Sequence, residues 1–507
     1  MSAGDVMYVD FSGTSTSVSF SGASGSYEIL LQSQATDGAS NSISLSSLSV
    51  DKSFSPSESS EEEELEEPLL PSAQSRLESV LRDEERLLMN VAWDGGNSKS
   101  ISSVSASAGK SVGGGDGPSA AVSVNDTGTF RVLSSLTTVT SYTTVNATAK
   151  CVNDTVAIYI DDEITSTNPS DLPQADIDTL CASFKTSLAT TSSLFGGYSD
   201  INDDGVAVAL ITPAVNRLGA ASGGIVTGFF YAGDLFARSA SIPASNYREI
   251  VYLVSPDSDG VYGTKITNAF AMSNFLPAVF PHEMQHLINY YQHTIVRSGS
   301  AEEDWLNEAL SHLTEDMVGY GREHYSRYDL YLASPQSYAV VSSSSPSLAQ
   351  RGAGYLFLRY LYEQSGSSSA FLRSMVQTTG RGVDNVVAAY PSKPSDFDTF
   401  GEFLRRWAIA VAYTNRGLTT NSKFIYSART HNATTGNWQG VCIVCNAEDG
   451  RSTSLTGPSF GTYSSSTSYA VRASAARFLR LSPTPSSLDL NSTSGASPAA
   501  ILIKSGN

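Results

Sequence analysis

The sequence predicts an α+β protein in which a central unit of strands and helices is flanked by β-rich segments at both ends. Short apolar stretches separated by glycine and serine occupy roughly the first 50 residues and return after about residue 420. Between them, hydrophobic residues recur at helical spacing beside two continuous apolar runs that are typical of buried strands. The chain shows no repeat of fixed period, so a solenoid or propeller is not expected.

The N-terminal part divides into three predicted units. The first is a β module with "VMYVDFSG", "STSVSFSG" and "SYEILLQS" as strands. A glutamate run closed by prolines, "SPSESSEEEELEEPLLPS", predicts a solvated linker, and a short helix follows with leucines at 77, 81, 87 and 88. A β-rich segment beyond a Gly/Ser loop would then complete the N-terminal module. These units span residues 1–55, 56–90 and 91–150.

The central unit, expected over residues 151–420, begins with a predicted amphipathic helix. Its buried face would carry Ile177, Leu180, Cys181, Phe184 and Leu188. The runs "VAVALIT" and "REIVYLV" predict buried strands. From about residue 270 to 415 the pattern is mainly helical, and "YLFLRYLYEQ" is apolar on nearly every side, which predicts a buried helix. A β-rich tail over 421–507 completes the chain.

Composition excludes several classes of partner. Acidic residues outnumber basic ones 50 to 31, giving a net charge of -19, which argues against binding to nucleic acid or to an anionic membrane. No apolar run is long enough for a transmembrane helix, and the first residues do not form a signal peptide. Abundant Ser, Thr and Gly with little Lys is typical of exported bacterial proteins. We therefore expect a secreted or cell-surface protein, with a lipid anchor as one alternative, whose leader is not part of this sequence. The sequence does not indicate the oligomeric state.

Four cysteines fit two disulfides, most simply Cys151–Cys181 and Cys442–Cys445, although three pairings are possible. Free thiols are an alternative. The Cys442-x-x-Cys445 pair could also be half of a structural metal site or a redox motif, but no second CxxC exists to complete a zinc site. The disulfide state is therefore an expectation that the sequence alone leaves open.

The stretch "FPHEMQHLINYYQH" places His282 and His286 four residues apart, with Glu283 directly after the first histidine. Four residues of helix turn through about 400°, so both imidazoles project from one face and can reach one zinc ion at about 2.0–2.1 Å. Glu283 is rotated away and would flank the open position of the ion, where it can take a proton from bound water. The competing interpretation is a helix with two incidental histidines.

A third ligand is expected from the helix that follows. "EEDWLNEALSHLTEDMVGYG" offers Glu308, far enough beyond His286 for a turn and an antiparallel helix. A histidine six residues after His286 would be the alternative, but Gln292 occupies that place. Weaker carboxylate candidates are Glu302, Glu303 and Glu315. Two neutral imidazoles and one carboxylate would leave the ion with a net positive charge that polarises a peptide carbonyl.

"HEMQHLIN" followed by "WLNEALSH" resembles the hyicolysin family of bacterial zinc metallopeptidases, within the gluzincin group. "DINDDGVAVALITP", "GFFYAGDLF" and "REIVYLV" upstream and "GAGYLFLRYLYEQSG" downstream add to the resemblance, which covers about 150–410. It implies a zincin-like metallopeptidase domain between the β-rich flanks. It also implies Zn²⁺ bound by His282, His286 and Glu308, with Glu283 as general base. The activity implied is that of an exported endopeptidase acting on a protein or peptide substrate.

Two positions depart from the family pattern. Pro281 immediately precedes the first histidine, so the helix is expected either to begin or to bend there. His312 stands where a thermolysin-like sequence has an aspartate, which leaves Asp316 or a backbone carbonyl as the expected partner of a ligand histidine. An oxyanion-stabilising side chain is also expected, with His312, Tyr320 and Tyr325 as candidates.

Asp200, Asn202 and Asp204, followed by Gly205, match the first half of a calcium-binding loop. Ile211 stands where an EF-hand requires glutamate, so the loop is not an EF-hand. A bound Ca²⁺ is a secondary expectation. The alternative is a turn leading into the next strand, where Asp, Asn and Gly are favoured for conformational reasons.

Two other functions compete with the peptidase. The chain could be a surface adhesion or binding protein that carries an inactive zincin-like domain, although the intact set of His282, Glu283, His286 and Glu308 argues against that. It could also be a latent enzyme in which residues 1–150 act as a propeptide over the cleft.

Overall fold

A computed structural model describes residues 1–20, 25–47, 72–93, 121–167, 171–391, 394, 396–447, 454–463 and 466–506. The predicted acidic linker and the Gly/Ser loop lie outside the described residues. Chain order alternates β-rich and helical regions. The strands are β1 (Val6–Asp10), β2 (Ser15–Ser19), β3 (Tyr27–Ser33), β4 (Ser40–Ser46), β5 (Thr127–Leu133), β6 (Tyr142–Val152), β7 (Val156–Asp161), β8 (Ala207–Thr212), β9 (Gly228–Phe230), β10 (Ile250–Val254), β11 (Thr430–His431), β12 (Trp438–Gln439), β13 (Val444–Cys445), β14 (Leu455–Thr456), β15 (Gly461–Tyr463), β16 (Thr467–Arg472), β17 (Ala476–Leu481), β18 (Ser487–Ser492) and β19 (Pro498–Lys504).

The helices belong mostly to the central unit. They are α1 (Ala73–Leu88), α2 (Asp162–Thr167), α3 (Gln174–Phe195), α4 (Pro213–Ala220), α5 (Asn268–Phe270), α6 (Leu276–Asn289), α7 (Asp304–Met317), α8 (His324–Ala333), α9 (Leu348–Gln364), α10 (Ser369–Val376), α11 (Gly382–Ala389) and α12 (Phe400–Tyr413). The α+β class predicted from the sequence is confirmed, with β-rich segments at both ends. Among the described residues, no helix is both long and apolar enough to cross a membrane.

The two ends of the chain form one β-sandwich. One sheet has the order β1-β19-β3-β17-β15 and the other β16-β4-β18-β2, so both sheets combine strands from the N-terminal and C-terminal segments. Ile29 and Leu31 of β3 share a buried core with Ile43 of β4 in the opposite sheet. Leu30, which points to the other face because side chains alternate along a strand, packs into the core of the central unit. Strands from the segments 1–55 and 421–507, which were predicted as separate modules, therefore share one sandwich, while β11 to β14 form two separate two-stranded sheets.

The central unit contains a six-stranded mixed sheet with the order β5-β6-β7-β8-β10-β9. β7, β8 and β10 are parallel and buried along their whole length, as the apolar runs predicted for β8 and β10, while β9 is an antiparallel edge strand. β5 pairs with β6, and β6 pairs with β7, so both strands belong to this sheet. The expectation that 91–150 completes the N-terminal module is therefore wrong for these strands, and the boundary expected at residue 151 falls inside β6.

Helix packing in the central unit follows the predicted faces. Ile177, Leu180, Cys181, Phe184 and Leu188 of α3 are all buried. The ring of Phe184 stacks on Phe280 of α6, with 4.1 Å between ring centroids. In α1 the leucines at 77, 81 and 88 are buried, whereas the one at 87 is 65% exposed, contrary to its expected place on the packing face.

Both disulfides of the simplest predicted pairing are present. Cys151 on β6 is bonded to Cys181 on α3, and Cys442 is bonded to Cys445. The first ties the second strand of the central sheet to the helix that covers it. No free cysteine remains among the described residues.

Candidate metal centre

The HExxH motif lies inside α6, and His282, Glu283 and His286 are all buried there. A π-helical turn, Ala271–Phe275, precedes α6, and a second one, Tyr290–Ile295, follows it. Such turns often accompany functional sites. Pro281 is an interior residue of the helix, so the helix does not begin there, which excludes the first of the two expected arrangements. Since proline has no N–H, the carbonyl of Pro277 lacks its normal helical partner.

Helix α7 supplies the carboxylate. Leu306, Leu310 and Leu313 are fully buried on α7, and this packing directs Glu308 towards the face of α6 that carries the histidines. Glu308 Oε1 lies 3.4 Å from His286 Nε2, and its Oε2 lies 3.6 Å from His282 Nε2. The structure therefore brings together the three residues that the sequence proposed as ligands.

The separations in this group fit one shared ion. Ligand atoms bound tetrahedrally at about 2.0–2.1 Å lie about 3.3–3.4 Å from one another. The Nε2 atoms of His282 and His286 are 3.2 Å apart, and their distances to the Glu308 oxygens are similar. Two imidazoles and one carboxylate, all buried, are a donor set that zinc accepts with one position left open. The buried cluster can thus hold a metal ion.

A second group of ligand-type atoms, His282, His312 and Glu315, lies beside the first. Glu315 Oε1 is 2.7 Å from His282 Nδ1 and 2.8 Å from His312 Nδ1. These distances are too short for two atoms bound to the same ion and are typical of charge-assisted hydrogen bonds. The second group is therefore a hydrogen-bond network that orients the first.

Glu315 is the centre of that network. Besides His282 and His312, it accepts a hydrogen bond from His324 Nε2, at 3.1 Å from Oε2. Because its carboxylate accepts a hydrogen bond from Nδ1 of His282, the ring is oriented with Nε2 facing Glu308 and His286. The expectation that Asp316 supports a ligand histidine is wrong, since Asp316 Oδ2 instead pairs with Arg359 Nη1 at 2.6 Å.

Burial and neighbouring charges set the protonation of the cluster. Burial lowers the pKa of His282, but the neighbouring carboxylates of Glu308 and Glu315 outweigh burial and raise that pKa to about 10. Burial, reinforced by the charge of Arg82, lowers the pKa of His286. Burial alone would raise the pKa of Glu308, yet the charges and hydrogen bonds of the two histidines hold it well below the usual value. Binding of a cation would therefore displace a proton from His282 at neutral pH.

Glu283 faces the same narrow cavity as His282. Its Oε2 accepts a hydrogen bond from the backbone N–H of Phe230 on the edge strand β9, at 2.9 Å. The carboxylate is therefore held between the metal-binding group and the free edge of the central sheet. This is the position in which a base can serve a substrate that pairs with that edge.

Two residues that the sequence did not single out bear directly on the cluster. Arg351 of α9 is buried, and its Nη1 donates to Glu308 Oε2 at 2.7 Å. The same guanidinium forms an ion pair with Glu78 of α1. Glu78 and Arg351 are far apart in the sequence and belong to no motif, so only the fold reveals their contact.

Of the three side chains expected as candidates for stabilising the oxyanion, one lines the cavity and two bind elsewhere. His312 lines the cavity, and its Nε2 is buried without a hydrogen-bond partner among the described residues. Tyr320 instead bonds through its hydroxyl to Ser183 Oγ on α3, at 2.8 Å. Tyr325 OH accepts a hydrogen bond from Arg429 Nη1 at 2.9 Å, and it does not line the cavity. His312 is therefore the candidate that the structure places at the site.

The calcium expectation finds no support. Asp204 Oδ2 pairs with Arg248 Nη2 at 2.7 Å and also accepts from Asn202 Nδ2 at 2.7 Å. Asp200 Oδ1 accepts the backbone N–H of Gly205 at 3.2 Å, and Gly205 has a positive φ of 79°. Within the described part of the chain, these oxygens are not among the groups that converge as metal ligands. They stabilise the turn before β8, the alternative that the composition also predicted.

Comparison with known proteins adds no identification. A scan against protein-family models and a search of curated proteins found no match to this chain.

Proposed function

We propose that the chain is a zinc-dependent endopeptidase that hydrolyses peptide bonds of a protein or peptide substrate. The observation that carries the proposal is the convergence of His282, His286 and Glu308, with ligand atoms 3.2–3.6 Å apart, next to Glu283. The resemblance of these residues to the hyicolysin family supports the same assignment. The zincin-like character of the domain and the identity of the metal are part of the proposal.

In this proposal each residue has one role. His282, His286 and Glu308 hold the ion, and Glu315 orients His282 through Nδ1. A bound zinc ion supplies Lewis acidity, which activates water at neutral pH and polarises the peptide carbonyl. Glu283 takes the proton of the attacking water and passes it to the leaving amine. No covalent acyl-enzyme is needed.

The free edge of β9 would bind the substrate in an extended conformation. Peptide ligands commonly add a strand to an exposed sheet edge, and main-chain hydrogen bonds then hold them in place. Because Phe230 of β9 donates to Glu283, a peptide on this edge would run past the proposed base. His312 lines the cavity, but burial lowers its pKa to about 3 and its Nδ1 donates to Glu315, so Nε2 presents a lone pair and this neutral ring does not supply the oxyanion donor.

We further propose that the protein acts outside the cytoplasm, on the cell surface or in secreted form. Disulfides persist mainly in oxidising compartments, and both predicted pairs are present in this chain. The low lysine content and the acidic net charge of -19 agree with that location.

Metal analysis combined with hydrolysis of casein tests the function. We expect about one zinc ion per chain, and we expect Glu283→Gln to retain zinc while losing turnover by about 10²–10⁴-fold or more. Glu302→Gln is the matched control, because Glu302 is equally buried but bonds to Gly382 N and Asn385 Nδ2 instead. A surface-binding protein with an inactive domain would show no hydrolysis in the wild type and no effect of Glu283→Gln; that result would reject the peptidase.

A further inference from the structure

Helix α1 lies across the cavity of the candidate metal centre. Gln74 and Glu78 of α1 line this cavity together with His282 and Glu283 of α6 and Arg351 of α9. The inward face of α1 is partly apolar and partly polar. Its buried residues are Ala73, Ser75, Leu77, Glu78, Leu81, Arg82, Glu85 and Leu88. Buried polar side chains need partners. Arg82 pairs with Glu85 within α1. Gln74 also donates to Glu78, but these two side chains have further partners in the cleft.

Gln74 binds the edge strand in the way a peptide bond would. Its Nε2 donates to the carbonyl of Gly228 at 2.9 Å, and its Oε1 accepts the N–H of Thr227 at 2.9 Å. A primary carboxamide presents the same donor and acceptor as a backbone amide. Phe230, two residues further along, donates to Glu283. One side chain of α1 therefore occupies main-chain positions at the edge proposed to receive the substrate.

Glu78 supplies a carboxylate to Arg351 at the same place. Arg351 Nη1 is 3.2 Å from Glu78 Oε1, and Nη2 contacts Glu78 Oε2, so both carboxylate oxygens are engaged. Arg351 Nε donates to the carbonyl of Pro346 at 3.1 Å. This is the forked geometry by which arginine recognises carboxylates. The remaining carboxylate contact of Arg351, Glu308, belongs to the metal-binding group and is needed there.

We propose that Arg351 forms a carboxylate-binding subsite beside the catalytic centre, and that Glu78 of α1 fills this subsite as an internal competitor of substrate. The proposal rests on the peptidase function above and names its substrate class, a peptide with a carboxylate near the scissile bond. That carboxylate is either an acidic side chain or the C-terminus of the peptide. Helix α1 combines both features of such a ligand, a peptide-like amide and a carboxylate, in Gln74 and Glu78.

Burial explains why this subsite requires a carboxylate. Arg351 is only 4% exposed. A buried guanidinium that loses its partner is strongly unfavourable, because nothing replaces its hydration. When α1 leaves the cleft, the ligand that binds best is therefore one that brings a carboxylate to the same fork.

The test uses the full chain with Glu283→Gln, so that binding is measured without turnover. Recognition sequences for a site-specific protease are placed within 51–71 and within 94–120, and both are cut. Fluorescent peptides with the sequence of residues 72–93 are then titrated and followed by anisotropy. We expect the wild-type peptide to bind about 10–100-fold more tightly than the same peptide carrying Glu78→Gln. The control peptide carries Glu84→Gln, because Glu84 lies on α1 but does not line the cavity, and it should bind like wild type.

Two further arms identify the carboxylate and its receptor. A short peptide with an internal glutamate and an amidated end is compared with an all-neutral peptide that has a free C-terminus, which separates the two sources. Arg351→Gln should abolish the preference of the cut protein for a glutamate side chain or for a free C-terminus, while metal analysis confirms that zinc is retained. Equal binding of the Glu78 and Glu78→Gln peptides, or no binding to the folded cut protein, would overturn the proposal.

If the cut protein unfolds, as judged by circular dichroism, the subsite is tested on the uncut chain instead. The uncut chain with Glu78→Gln should then bind the acidic peptide at least ten-fold more tightly than the uncut chain with Glu84→Gln, and equal binding would refute the subsite. All of these measurements are made without catalysis. A failure of casein hydrolysis would therefore reject the peptidase without deciding the binding result, and the converse also holds.

Discussion

Replacing Glu315 by glutamine tests whether this carboxylate supports the metal centre. The two oxygens of Glu315 accept hydrogen bonds from three imidazoles, those of His282 at 2.7 Å, His312 at 2.8 Å and His324 at 3.1 Å. Glutamine has nearly the same volume but only one acceptor oxygen and no charge. Its amide group would face at least one imidazole N–H, so the network could no longer hold all three rings. His282 would lose the hydrogen-bond partner that orients its ring through Nδ1.

The expected loss is that of an outer hydrogen-bond partner of a metal ligand. Such substitutions weaken metal binding by about 10–100-fold, or about 1.4–2.7 kcal/mol. We expect the upper part of this range because Glu315 is 5% exposed at its side chain and water therefore cannot replace it. Zinc affinity would be measured by competition with a chromophoric chelator at neutral pH, on protein whose folding is checked by circular dichroism.

Asp316→Asn is the matched control for Glu315→Gln. Asp316 is the next residue on α7 and is equally buried, but its partners are Arg359 and the backbone N–H of Gly440. This variant should lower the free energy of unfolding and leave the zinc affinity of the folded protein unchanged. The reasoning is refuted if Asp316→Asn weakens zinc binding ten-fold or more while Glu315→Gln binds zinc like wild type.

Three further outcomes concern stability. Burial raises the pKa of Asp234 from 3.8 to about 7. A carboxyl whose pKa is higher in the folded protein than in the unfolded chain stabilises the fold at a pH below the unfolded pKa. This stabilisation is lost as the pH rises through the pKa of the folded protein. In the wild type the free energy of unfolding should therefore fall by up to about 4 kcal/mol as the pH rises between these two values. Asp234→Asn should abolish this fall, as measured by urea titration. Cys151→Ser opens the link to Cys181 across 30 residues and should cost about 3–4 kcal/mol by calorimetry, and an unchanged Tm would contradict this. Glu28 accepts two hydrogen bonds from Arg416, at 2.7 and 3.0 Å, so a double-mutant cycle on this pair should give a coupling of about 1–3 kcal/mol, and additivity would exclude it.

The sequence predicted the metal-binding group well because its information is local. The spacing of His282 and His286 sets their relative position through helix geometry alone, and Glu308 required only that the following helix pack antiparallel against α6. The buried strands β8 and β10 were also predictable, since parallel strands covered on both faces are continuously apolar. In each case the residues that determine the feature are close together in the chain.

Contacts between segments that are far apart in the chain could not be predicted from the sequence. Glu315 and Asp316 are adjacent acids on one helix, and only the orientation of α7 against α6 decides that the first meets His282 while the second meets Arg359. The combination of N-terminal and C-terminal strands in one sandwich has the same origin, because strand patterns define which face is buried but not which strand is the neighbour.

The sandwich also bears on how α1 is held. β3 is hydrogen-bonded on both edges by strands from the far end of the chain, β19 and β17, over seven and six residue pairs. β3, which comes before α1 in the chain, is thus held by pairing in which α1 takes no part, and β5, which comes after α1, pairs with β6 in the central sheet. Helix α1 itself contributes no strand to either sheet. In the displacement of α1 that we propose, the Glu78–Arg351 ion pair is the contact that a substrate carboxylate would replace.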